Sequence, residues 1–163
     1  MFEFKTRVAL VLAADPLLTQ QLNTVLDTNA PAIYVNHLSH FQRVHYPCLS
    51  LFWEGVGADQ AVQFAEGGVL AVDIWTEERE PQGGSLLAAG LSGAWALRRI
   101  VKNHLHRAHL NGALSDPAYA VSYCVELGGI VTDDFDRNMK LYHLQDRYRV
   151  RLVPTGAIEA LPT

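Results

Sequence analysis

From Asp146 to Pro154 the chain alternates with a period of two. Arg147, Arg149 and Arg151 fall on one side, and Tyr148, Val150 and Leu152 on the other. Successive residues of an extended strand point to opposite faces, so this pattern demands a strand with one buried face and one polar face. A helix would scatter the same arginines around its axis. The rest of the chain must therefore supply a sheet and a core for one side of it. Arginine's planar fork can grip a carboxylate at two points. The row is either a solvated face or a surface that takes acids from a neighbouring subunit or partner. Glu77, Glu78 and Glu80 are the candidate acids.

Other strands read in the same way. Pro47 favours an extended residue before it, which suits a strand over Cys48–Glu54. Cys48, Ser50, Phe52 and Glu54 share one face, and Leu49, Leu51 and Trp53 the other. Both faces are largely apolar, so this strand is central or covered on both sides. Val69–Trp75 places Leu70, Val72 and Ile74 opposite Val69, Ala71, Asp73 and Trp75. Ile33–Val35 is a short β-like run, Tyr119–Leu127 a further strand, and Lys140–Val153 the last, with an interruption expected near Gln145.

Residues 4–26 carry helical periodicity in Val8, Leu12, Leu18, Leu22 and Val25, broken at Asp15-Pro16. Asp15 can cap a second helix whose first turn tolerates Pro16. A long helix is expected over Ser85–Leu105, with Ser85 as its cap. Its apolar stripe is Leu87, Leu91, Ala94, Leu97, Val101 and Leu105, and Arg98, Arg99 and Lys102 lie off it. The connections expected are Gly55–Gly68, Thr76–Gly84, Leu110–Pro117 and an acidic loop, Thr132–Asn138. The order predicts an α+β fold: a mixed, mainly antiparallel sheet of about four to five strands with two helices on one face. A single domain spans 1–163, with a core over about 4–153 and a tail over 154–163.

Composition bounds the function. The chain has 163 residues, 49% hydrophobic and 18% charged, which is enough for one globular core. A net charge of −4 argues against binding dominated by phosphate contacts. Arg98, Arg99, Lys102 and Arg107 remain a candidate lining for DNA passage. Cys48 and Cys124 sit in apolar runs and are expected as buried thiols. No secretory signal and no membrane span is expected, since the N-terminus lacks a charged leader and no apolar run approaches about 18 residues.

Catalytic signatures fail on inspection. Among seven histidines, His104, His106 and His109 are the densest group. A metal pair on a helix needs i, i+3 or i, i+4 spacing, which His106 and His109 meet only if the helix extends that far. His37 and His40 repeat the spacing in a weakly helical region. Asp134-x-Asp136-x-Asn138 imitates a calcium loop, but Met139 stands where glycine is needed and Gln145 where glutamate is needed. There is no G-x-S-x-G elbow, phosphate-binding loop or G-x-G-x-x-G turn. The strand carboxylates Glu54, Asp73 and Glu126 are expected on exposed or inter-subunit faces. The reading is a non-enzyme with no catalytic, cofactor or metal residues. Its rivals are a small metal-dependent or acid–base enzyme using His104, His106 and His109 with Asp134 or Asp136, and an adaptor that binds partners through a sheet edge.

The chain resembles the tail terminator and tail-completion (head–tail joining) proteins of long-tailed bacteriophages and gene-transfer particles. The likeness lies in Leu12-Ala13-Ala14-Asp15-Pro16-Leu17, Tyr46-Pro47-Cys48-Leu49-Ser50-Leu51, Ala71-Val72-Asp73-Ile74-Trp75, the Ser85–Leu105 helix and Tyr142–Arg151. It runs over most of residues 5–153. The resemblance implies a mixed sheet flanked by helices, assembled as a hexameric ring that caps the tail tube and joins it to the head connector. It implies tube protein, connector or neck protein and further copies of the chain as partners, no cofactor and no membrane. The location implied is the head-proximal end of the tail in the virion, after synthesis in the host cytoplasm. Another neck or head-completion ring protein fits the same pattern. Asp59, Gln60, Gln63 and Glu66 in the first long loop, with Glu77, Glu78 and Glu80 in the second, would then face tube or neighbour. Arg147, Arg149 and Arg151 would face a neighbouring subunit.

Overall fold

The computed structural model describes residues 2–58, 66–78, 85–128 and 132–155. Helix α1 (Phe2–Ala13) and the single turn α2 (Pro16–Thr19) open the chain, followed by β1 (Ile33–Tyr34), β2 (Cys48–Ala58) and β3 (Glu66–Glu77). Helix α3 (Gly90–Leu105), β4 (Tyr119–Glu126), β5 (Thr132–Asp136) and β6 (Leu141–Pro154) complete it. The sheet runs β1-β2-β3-β6-β4, with the short β5 also on β6. β1 is parallel to β2, and every other pairing is antiparallel. The α+β reading holds: five strands form the continuous path and β5 adds a sixth.

β6 is the hub. One edge pairs with β3 from Leu141 to Leu152. The other edge is divided, with β5 along Leu141–Gln145 and β4 along Tyr148–Pro154. Its inward side chains Leu144, Tyr148, Val150 and Leu152 are buried under the helices, as the alternation requires. They meet Val8 and Leu12 of α1, Leu97, Val101 and Leu105 of α3, and Leu70, Val72 and Ile74 of β3 in one core. Part of the opposite sheet face is covered by the segment after β1. Tyr34 and Ala32 join Cys48 in a second small core against Phe41, Tyr46 and Trp75.

Several local expectations change. Asp15 does cap α2, accepting from the amides of Leu17 (2.7 Å) and Leu18 (3.2 Å), but α2 stops at Thr19 rather than running to 26. α3 begins at Gly90, not at Ser85, and Ala89 supplies no side-chain cap. Residues 85–89 have no regular structure instead, with Ala89 extended and Ala88 N donating to Gln21 O at 2.9 Å. The chain then turns into the helix through a left-handed Gly90 (φ 63°), whose carbonyl accepts from Thr76 Oγ1 at 2.8 Å. The acidic stretch read as a loop is β5, because its backbone completes the edge of β6. β6 continues unbroken through Gln145, which is paired on both sides. β2 and β3 extend into the first expected loop as far as Ala58 and Glu66. Near that end a bulge between Trp53 and Gly55 interrupts the register. Gly68 is required there: a Cβ on it would lie 2.5 Å from the carbonyl oxygen of Gly55 and 3.0 Å from the Trp53 ring. The expected tail beyond residue 155 lies outside the described residues.

Candidate interaction surface

The charges beneath the helices are closed off. Asp146 points into the core and is 2% exposed. Arg98 reaches down from α3 to Asp146 at 2.9 Å and also pairs with Glu126 of β4. Lys102 holds the second oxygen of Glu126 at 2.6 Å, and the Tyr148 hydroxyl donates to Asp146 at 3.2 Å. Burial pushes the Asp146 carboxyl above the usual carboxylate range, and Arg98 opposes that push. Burial likewise pushes the Tyr148 hydroxyl up. Such a network fixes how α3 sits on the sheet. Arg98 and Lys102 are thus committed to acids of their own chain and do not form a free basic lining. Glu126, expected on an exposed or inter-subunit face, is paired within its own chain. On the opposite face of the sheet Asp73 is buried too, at 4% exposure, where Gln145 Nε2 donates to it at 2.9 Å. His143 Nε2 lies 3.0 Å from the same oxygen but off the hydrogen-bonding direction, its ring stacked on Trp75.

The histidines separate rather than converge. α3 ends at Leu105, so His106 and His109 are not on one helical face. His104 Nε2 lies 2.6 Å from Asp15, whose carboxyl is held below the usual range chiefly by that hydrogen bond. His106 Nδ1 accepts from Glu126 N (3.3 Å) and His109 Nδ1 from Cys124 N (3.2 Å). Arg107, in a left-handed conformation (φ 62°), donates its N–H to Cys124 O at 2.8 Å. Ser115 Oγ accepts from Val121 N at 3.3 Å. Together these groups occupy the outer edge of β4 as a partner strand would, which blocks strand addition there. Among the described residues no group of three or more His, Cys, Asp or Glu side chains could hold a metal ion. Both cysteines are buried and unbridged, and burial pushes the Cys124 thiol up to about 12.

The outward face of β6 is where charge meets solvent. Arg147 pairs with Glu54, which the β2 bulge places beside it across β3. The expected partners of the row were Glu77, Glu78 and Glu80, so this intrachain pair is new; its signal was the lone acid ending an apolar strand. Arg149 and Arg151 continue along the same face, with Val69 of β3 and Val125 and Tyr123 of β4 as cross-strand neighbours. Arg149 is exposed. Glu77 lies on this face as well, but at the far end of β3, opposite Leu141, and Glu78 follows it. Both are exposed. Within one copy the acids do not reach the arginines. Glu66 stands at the first position of β3 opposite Leu152. Asp59, Gln60, Gln63 and Glu80 lie outside the described residues.

No protein-family model matches the sequence, and no curated protein sequence matches it. The fold is shared with a chain of the virion of a native gene transfer agent particle. The TM-score is 0.59 and the identity 18%, over 91% of this chain and 93% of that one. At that identity the likeness is one of fold.

Proposed function

We propose that this chain is a structural protein of a phage-like virion. In this reading its copies form a ring, six in number, that terminates the tail tube and joins it to the head connector. One observation carries the reading: the fold matches a virion chain over 91% of this chain and 93% of that one. The chemistry of the surface agrees. The histidines that would serve an enzyme are spent on the β4 edge and on Asp15. The core charges are paired within the chain. Among the described residues, exposed charge without an ion pair remains on the outward sheet face, at Arg149 and Glu77. A ring needs one modest contact between unlike surfaces, repeated around an axis until it closes.

The test is particle assembly without this chain. Heads and tails should accumulate separately, and the purified protein added back should join them. Imaging of complete particles should place the subunit at the head-proximal end of the tail. Normally joined particles in its absence, or a subunit located elsewhere, would overturn the reading.

A further inference from the structure

Resting on the ring reading, we propose that neighbouring copies join head to tail through the open face of the sheet. Arg149 of one copy receives Glu77 and Glu78 of the next. Arg147 is neutralised by Glu54, and Arg98 and Lys102 by Asp146 and Glu126. Arg149 is exposed and has no ion pair among the described residues, and the same holds for Glu77 and Glu78.

Geometry then excludes a contact within one copy. Arg149 stands opposite Val69, eight positions from Glu77 along β3. At about 3.3 Å per residue this is roughly 26 Å. The covering segment that holds Tyr34, Phe41 and Tyr46 against Trp75 lies towards the acidic end. One end of the face therefore offers an exposed arginine and the other two exposed glutamates, none with an ion pair among the described residues, and a second copy is the partner whose charges complement both. Each end also carries an exposed apolar side chain able to anchor a contact: Tyr123 (39% exposed), opposite Arg151, and Met139 (62% exposed), next to the Lys140 whose carbonyl accepts from Glu78 N. Lys140 and Arg137 share the acidic end and weaken its field, so the contact depends on local pairing rather than on bulk attraction. Because the two surfaces differ, the contact is heterologous: it repeats around an axis instead of ending as a dimer. Exposed ion pairs are individually weak, and closure of the ring makes them collectively stable.

Charge reversal tests this directly. Arg149→Glu alone, and Glu77→Lys with Glu78→Lys, should each weaken self-association at least tenfold by native mass measurement and sedimentation, with thermal melting unchanged. All three reversals in one chain should restore association, since each altered end again meets its complement. Insensitivity to either reversal, or no recovery in the combined chain, overturns this contact while leaving a ring built on other surfaces standing. Arg149→Cys combined with Glu78→Cys provides a second readout in assembled particles. A ladder of disulfide-linked copies is expected, and a chain that stays single there rejects the contact. A wild-type chain present in particles as isolated copies would remove the ring reading itself.

Discussion

On the helix-covered side of the sheet, Arg98, Asp146, Glu126 and Lys102 lie in one closed network whose partners come from α3, β4 and β6. On the other side, Arg147 pairs with Glu54 at a half-open site, and Arg149 faces solvent. Adjacent residues of one strand, Asp146 and Arg147, belong to these two regions. The low polarity beneath the helix makes each buried charge dependent on its partner, because an unpaired one must bear its own desolvation. At the Arg147–Arg149 end the outward face has water as an alternative partner. The inner charges therefore specify the fold, and the outer ones are free to specify a neighbour.

The largest expected effect tests the inner region. Arg98→Met leaves Asp146 without a cation, while Glu126 keeps Lys102, and should cost about 3–5 kcal/mol in urea unfolding. A loss under about 1 kcal/mol would mean that the two sides of the sheet treat charge alike. An intermediate effect is expected at the β4 edge. His109→Ala leaves the Cys124 amide without its acceptor, at about 1–3 kcal/mol, and should speed hydrogen exchange at that amide. Unchanged exchange would show that the imidazole is not what protects the edge. The smallest effect belongs to the outer region. Arg147→Gln should change stability by no more than about 1 kcal/mol, and a larger loss would mean that the outward pair depends on its partner as the buried one does.

The alternation of β6 was legible because a two-residue period needs no knowledge of the rest of the chain. The Asp15 cap was legible for the same reason, its partners being Leu17 and Leu18. What escaped was non-local. Arg98 reads as a solvated residue beside an apolar stripe, and nothing near it in sequence reveals Asp146 and Glu126. Asp73 and Glu126 looked outward because a carboxylate in a strand is affordable inside only with partners from elsewhere. The spacing of His106 and His109 suggests a metal pair, whereas their role depends on the position of the β4 edge. β5 was hidden because its aspartates resemble loop residues, and only pairing with β6 makes it a strand. Of the candidate surface, the arginine row was visible, but the early pairing of Arg147 with Glu54 was not.

β6 lies late in the chain, yet β3, β4 and β5 all bond to it. During synthesis the β2–β3 hairpin and α3 emerge from the ribosome with no strand to complete their layer. The cooperative transition must wait until about residue 154 has cleared the exit tunnel, and until then an unfinished polypeptide displays adhesive apolar surface. A nascent molecule of this kind is more exposed to chaperones and proteases than one that closes its sheet early.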